Sequence, residues 1–314
     1  MTMKSLTRAE AAGFLLVHDN FRILTHRRPD GDTVGSAAAL CLGLRSLGKN
    51  AYVLTDEDAW DCKFNWLLEG LVCDEFVDTD TVVSVDVAAE HMLSREAKVA
   101  LSIDHHGSNE PYAENTLVDS ASASCAELVL DVLTMLGVEM DQKMAEAVYV
   151  GLSTDTGCFR YANTNAHTFF VASLCARAGA PVNALNQELF ETNSLAKLRL
   201  QAWMVENLHL FGDGKFAVVA IPRAVEDMLG VTEDDLGNIS SFPRTVAGVC
   251  MAATLRQSKD GRTKISIRAV PGYDAAAVCE KFGGGGHKGA AGGSSPLPLD
   301  EAAKAVEEAM LAMR

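Results

Sequence analysis

FRILTHRRPDGDTVGSAAALCLGLRSLG, residues 21–48, reads as a strand, a polar loop and a helix in immediate succession. Residues 21–25 form a short apolar run, and the small and aliphatic residues after Thr33 continue as a helix that stops near Gly48. Between them HRRPDGD places His26, Asp30 and Asp32 where a loop leaving a strand turns side chains toward the crevice at the carboxyl edge of a parallel sheet. Gly31 lets the backbone turn between the two acids. Taken alone, the loop is equally a polar turn in which Asp32 caps the following helix.

Other runs repeat the arrangement. NAYVLT (50–55), VVSVDV (82–87) and VALSID (99–104) are short and β-rich, and helical segments such as FNWLLEGL (64–71), CAELVLDVLTMLG (125–137) and MAEAVYVGLST (144–154) lie among or after them. Strands alternating with helices predict a parallel sheet covered on both faces. Asp86 ends one run, and Asp104, His105 and His106 end another. Asp155, in GLSTDTGCFRY (151–161), follows an apolar helix and leads into a glycine turn. Read singly, it is a helix-terminal turn residue.

After Gly179 and Pro181 the pattern changes. A long helical stretch over 183–211 precedes three strand-like runs, FAVVAI (216–221), TVAGVCMAATLRQ (245–257) and RTKISIRAV (262–270), and an amphipathic helix over 300–313. We therefore expect an α/β domain over 1–182, a helical connector over 183–212 and a smaller α+β domain over 213–314.

Composition narrows the possible functions. The 314 residues are 48% hydrophobic and 22% charged, which is globular and argues against disorder or a secreted disulfide scaffold. No stretch reaches the roughly 20 apolar residues of a membrane span, no signal-peptide core opens the chain, and the eight cysteines form no CxxC pair. A soluble cytoplasmic protein with no membrane partner is expected. The net charge of −15 repels polyanions, so long nucleic acid is a poor ligand. A short anionic substrate stays compatible, because bound cations and a few arginines reverse the potential inside one cleft.

His26, Asp30, Asp32, Asp86, His105 and Asp155 together supply two imidazoles and four carboxylates, more than one divalent ion needs and well matched to two. Without cations, four close carboxylates would repel one another, so a purely structural role would be electrostatically costly. Carboxylate with imidazole and no thiolate suits manganese, ahead of magnesium, iron or cobalt, and disfavours structural zinc. Paired ions of this kind serve hydrolysis of a phosphate ester or anhydride.

At this point the residues resemble a known family. HRRPDGDTVGS (26–36), the Asp86 strand, DHH (104–106) and STDTG (153–157) are similar to the four motifs of the DHH phosphoesterase superfamily, and GGGGHKGAAGG (283–293) to the glycine-rich signature of its DHH-associated C-terminal domain. DHHGSN (104–109), followed by SASCAE (122–127), most resembles the bacterial nanoRNase/pAp phosphatase branch, which also includes cyclic-dinucleotide-related phosphodiesterases. The resemblance implies that His26 and Asp30 bind one metal, that Asp32, His105 and Asp155 bind the other, and that Asp86 bridges them. It makes His106 a substrate-phosphate contact or proton donor and Asp104 the group that orients the neighbouring histidines.

In the C-terminal domain the resemblance implies a substrate clamp from Arg268 and the loop Gly284, Gly285, Gly286 and His287, closing on the nucleotide across the interdomain cleft. A glycine run with flanking donors can approach an anion closely, although by itself it is an ordinary flexible loop. Arg160 is a weaker clamp candidate. Two positions depart from the family pattern: Ala269 stands where relatives often carry serine, and Cys125 where serine or threonine is common. Both bear on substrate preference. Trp60 and Trp66 could stack a base, but core packing is the better reading.

The expected activity is manganese-dependent hydrolysis of very short oligonucleotides to mononucleotides, with removal of the 3′-phosphate of adenosine 3′,5′-bisphosphate. Alternatives are a cyclic-di-AMP or linear-dinucleotide phosphodiesterase, more distantly a pyrophosphatase or exopolyphosphatase, and, in another class, a nucleotide sensor that binds without cleaving. The resemblance leaves a homodimer open.

Overall fold

A computed structural model describes residues 4–54, 63–75, 77, 79–258 and 260–313, so Trp60 and Cys62 lie outside the described residues. The chain divides into two units, residues 1–192 and 193–314.

Unit 1 is built on seven strands: β1 (Lys4–Ser5), β2 (Phe21–Leu24), β3 (Ala51–Leu54), β4 (Val72–Cys73), β5 (Thr81–Val85), β6 (Leu101–Asp104) and β7 (Asn115–Val118). They pair in parallel throughout, in the order β1-β7-β6-β5-β2-β3-β4. The order reverses between β5 and β2, and the crevice outside the carboxyl ends of the strands at such a reversal is where open α/β sheets hold ligands. His26 follows β2 and Asp86 follows β5, so both stand at that point.

The helices of unit 1 are α1 (Arg8–Val17), α2 (Gly31–Ser46), α3 (Cys125–Met135), α4 (Gln142–Asp155), α5 (Ala166–Arg177) and α6 (Val182–Asn186). Strand alternation sends Phe21, Ile23, Val83, Val85, Leu101 and Ile103 into one core with all six helices. Leu24, Leu54 and Val82 face the other way, into a smaller core with Val87, Leu93, Val99 and Ala113. The expected cover on both faces is thus uneven. Right-handed connections place α2 on one face and the β5–β6 connection on the opposite face, and that connection is short, with one 3-10 turn at Glu90–Met92.

Helix α2 is almost wholly buried, which its small residues permit. At Gly35 a side chain is excluded by backbone: a Cβ would lie 2.3 Å from the Ala147 carbonyl oxygen and 2.9 Å from Gly151 N of α4. This contact lets α4 deliver Asp155, its last residue, beside the start of α2.

The helical stretch expected over 183–211 breaks after Glu191, and Ser194 starts a new helix in unit 2, its hydroxyl capping Lys197 N at 3.0 Å. Unit 2 comprises α7 (Leu195–Glu206), β8 (His209–Phe211), β9 (Phe216–Ile221), α8 (Arg223–Leu229), β10 (Met251–Gln257), β11 (Thr263–Ala269), α9 (Ala275–Cys279), β12 (Gly285–His287), β13 (Ala290–Ser295) and α10 (Leu299–Leu311). Its sheet runs β12-β13-β11-β10-β9-β8, antiparallel except for the β9–β10 pair. Ala302, Val306 and Met310 of α10 pack on one face, while Leu200 and Met204 of α7 pack on the other. Trp66, read as a core residue, sits in a 3-10 turn at Asn65–Leu68 and is 45% exposed. Among the described residues no single helix is long and apolar enough to cross a membrane.

Candidate metal centre

Asp30 caps α2, its Oδ1 accepting the N–H groups of Asp32 at 3.1 Å and Thr33 at 3.2 Å. The helix therefore begins at Gly31, two residues earlier than the sequence suggested, and Asp32 is freed from capping to point inward. Asp32 is buried and takes two N–H groups from the start of α3, Cys125 at 2.7 Å and Ala126 at 2.9 Å, with the Ser36 hydroxyl at 3.3 Å. The positive end of α3 thus faces a carboxylate.

Asp86 leaves β5 with a left-handed backbone, φ +59°, unusual for a residue other than glycine. Its N–H is held by the Ile103 carbonyl at 3.0 Å, and the turn presents its side chain at the middle of the site. His105 Nδ1 lies 3.3 Å from the Ser122 carbonyl, which leaves Nε2 to face the acids.

These residues converge. His26 Nε2 lies 3.7 Å from Asp30 Oδ1 and 3.8 Å from Asp86 Oδ2. His105 Nε2 lies 3.5 Å from Asp86 Oδ1, 3.6 Å from Asp32 Oδ2 and 3.7 Å from Asp155 Oδ2. His26, Asp30 and Asp86 form one group able to hold an ion, and Asp32, His105 and Asp155 form another. His106 joins a third group with Asp86 and His105, its Nδ1 3.6 Å from Asp86 Oδ1.

The separations are too long for hydrogen bonds and suit donors around a common ion, since two atoms each ~2.0–2.2 Å from a metal stand roughly 3–4 Å apart. Two atoms at the centre, Asp86 Oδ1 and His105 Nε2, are buried without any hydrogen-bond partner. Buried polar atoms are rarely left so. A cation would satisfy both, and the donor set fits one or two hard to borderline divalent ions.

The electrostatics agree. Burial pushes the Asp86 carboxyl well above the usual range, and the nearby carboxylates of Asp32, Asp30, Asp104 and Asp155 push it further. Burial likewise raises Asp32. Asp155 is pushed up to about 7, by burial first and by Asp32 next. Three adjacent acids that resist ionisation are what metal coordination would relieve.

Asp104 behaves differently. Burial alone would raise it, but hydrogen bonds outweigh that effect and hold it below the usual carboxylate range. Its Oδ1 accepts the His105 and His106 backbone N–H groups at 2.8 and 3.2 Å and stands 2.8 Å from His106 Nδ1, while Oδ2 accepts the Asn109 amide at 2.6 Å. The Asp104 hydrogen bond raises the His106 pKa and leaves Nε2 as the nitrogen free for other work.

Arg160 is exposed, with its Nε donating to the Gly157 carbonyl at 2.6 Å. The turn before it, Gly157 to Phe159, is left-handed at three successive residues. In unit 2, Arg268 of β11, Ala290 of β13 and His287 of β12 occupy one row across three strands. A Cβ on Gly284 would lie 2.0 Å from the Gly292 carbonyl oxygen, so that glycine is required by its neighbour strand, whereas Gly285 has open space before it. Residues that the sequence reading did not single out also support the site. Asn163 donates to the carbonyls of Ala123 at 2.9 Å and Asp155 at 3.2 Å, and Asn109 and Tyr112 both reach the Val87 carbonyl.

The description "DHH family, N-terminal domain" matches residues 20–152, and "DHHA1 domain" matches residues 213–312. The chain is 33% identical over 302 residues to the bifunctional oligoribonuclease and PAP phosphatase NrnA of Thermus thermophilus, covering 92% of this chain and 88% of that protein. Its fold is shared with an exopolyphosphatase-related protein from Bacteroides fragilis, with a TM-score of 0.86 and 23% identity over 97% of this chain and 96% of that one. It is also shared with RecJ of Thermus thermophilus, solved in complex with Mn2+, with a TM-score of 0.57 and 15% identity over 97% of this chain and 54% of that one. With its motif acids and histidines gathered at the sheet reversal and this likeness running along nearly its whole length, the chain belongs to the DHH family.

Proposed function

We propose that this protein is a manganese-dependent phosphohydrolase that trims very short oligonucleotides to mononucleotides and removes the 3′-phosphate of adenosine 3′,5′-bisphosphate. The observation that carries the reading is the pair of ligand groups, His26, Asp30 and Asp86 beside Asp32, His105 and Asp155, with two buried donor atoms lacking any other partner. The likeness to NrnA supports the substrate class.

His26 and Asp30 would hold one ion, Asp32, His105 and Asp155 the other, with Asp86 shared. When bound, the ions supply a water-derived nucleophile at neutral pH and neutralise the phosphoryl oxygens. The chain's own residues do the rest. Asp104 fixes His106 through Nδ1, so that its Nε2 can meet a phosphate oxygen or deliver a proton to the leaving group. The amides of α3 keep Asp32 oriented inward. In unit 2, Arg268, Gly285 and His287 lie together on one sheet face and offer donors to a nucleotide anion. Seven free cysteines among the described residues support a reducing, cytoplasmic setting.

The test is chromatography of products from adenosine 3′,5′-bisphosphate, a dinucleotide, cyclic-di-AMP and pyrophosphate, each with manganese and with a chelator. Chelator-sensitive release of phosphate or mononucleotide from the first two is expected. Cleavage of the cyclic dinucleotide or pyrophosphate alone would overturn the reading.

A further inference from the structure

The kink at Asp86 needs something to hold it, and none of the roles read from the sequence motifs supplies it. We propose that Tyr112, together with Asn109, is a positioning residue that locks this kink and thereby sets where Asp86 presents its carboxylate. The inference rests on the metal centre proposed above and adds two residues that lie outside its ligand groups.

The hydroxyl of Tyr112 donates to the Val87 carbonyl at 3.0 Å and lies 2.7 Å from Ser84 Oγ and 3.2 Å from Ser102 Oγ. A phenol has one proton and two lone pairs. With its proton on Val87, both serines donate to it, and its capacity is filled. One oxygen therefore ties β5 through Ser84, β6 through Ser102, and the carbonyl of Val87, the residue that follows Asp86. The ring packs against the smaller core of Leu93, Val99 and Ala113, which aims the hydroxyl at these partners. Burial pushes its pKa up to about 12, so the donating proton stays in place across the working range.

Asn109 completes the clamp. Its amide reaches the same Val87 carbonyl at 3.3 Å and Asp104 Oδ2 at 2.6 Å. On the other side of Asp86, its own N–H is taken by Ile103. The chain is thus held at the peptide before the left-handed residue, by Ile103 of β6, and at the carbonyl one residue beyond it, by Asn109 and Tyr112 of the loop after β6.

The test is a manganese titration of the full chain, stripped with chelator, read by calorimetry or by the spin resonance of free Mn2+, alongside steady-state kinetics on a dinucleotide. Tyr112→Phe removes one oxygen and keeps the ring. It is expected to weaken manganese binding by about tenfold to a hundredfold and to lower kcat while KM holds. Asn109→Ala should act in the same direction, and it carries the test if the phenylalanine variant fails to fold. In the double variant the Val87 carbonyl has no donor left, so the combined loss should exceed the product of the single losses. Wild-type manganese affinity in the single variants would overturn the clamp, as would a lowered melting temperature with unchanged metal binding. A wild-type chain that takes up no manganese would overturn the metal centre and the clamp with it.

Discussion

The backbone N–H of Cys125 points at Asp32 Oδ2 from 2.7 Å, so a helix start and a candidate metal ligand are parts of one contact. Asp32 consequently has two duties. Asp32→Ala should abolish activity and, by leaving the Cys125 and Ala126 amides unanswered, cost about 1–3 kcal/mol in the chelated chain. Asp155→Ala should abolish activity without that cost, because its carboxylate is met by the Asn163 side-chain amide at 3.4 Å and caps no helix start. Thermal melts in chelator beside activity assays separate the two. Equal melting temperatures for both variants would contradict the double role of Asp32.

Gly35 meets the α4 backbone where no side chain fits. Gly35→Ala should part α2 from α4, costing about 1–3 kcal/mol as an overpacked core site and moving Asp32 away from Asp155. A melt shifted downward by several degrees, with activity falling more than tenfold even at saturating manganese, is the expected outcome.

The chelated protein should become less stable as pH rises. Asp155 has a folded pKa near 7 against an ordinary 3.8, so its neutral form favours the fold. That contribution is complete below about pH 4 and is lost as pH climbs through 7. Asp86 and Asp32 shift in the same direction. His106, also raised, contributes below its unfolded pKa of 6.5 and loses its part as pH passes the folded value. Melting temperatures measured in chelator from about pH 5 to 8 should fall, and manganese should restore them most at the upper end. A chelated chain whose melt rises over that window would contradict the crowding of acids at the site.

Arg268 shares its row with His287 and lies in unit 2, apart from the metal ligands in sequence. Arg268→Ala should raise KM for a dinucleotide by about tenfold to a hundredfold, the worth of a charge-assisted hydrogen bond. Hydrolysis of a small phosphodiester with no nucleoside should change little. Equal losses on both substrates would remove Arg268 from substrate binding.

The centre was legible because its residues follow short apolar runs, and a parallel sheet brings the carboxyl ends of such runs together. His26, Asp86 and His105 could be placed from that pattern alone. The left-handed turn at Asp86 left no trace, since aspartate adopts that backbone only occasionally and does not mark it as glycine does. Tyr112 and Asn109 lie in the irregular stretch between β6 and β7, and only the folded sheet brings Ser84 and Ser102 to the same phenol. The glycine run was read as a loop, yet Gly285 and Gly286 belong to an edge strand, and Gly284 is fixed by the backbone of β13. Trp66 went astray because residues 64–71 carry a helix-like apolar pattern but form only a short 3-10 turn.

The uneven cover of the unit 1 sheet gives the molecule a gradient of local stability. On the face packed by α2, α3 and α4, the larger core should protect its helices from amide exchange most strongly. On the other face a few loop residues close a thin core, and their release exposes far less apolar surface. The soft side therefore lies behind Asp86, opposite the side that α2 and α4 seal. Metal loss and local opening should accompany each other there, with the strands and the buried helices still in place.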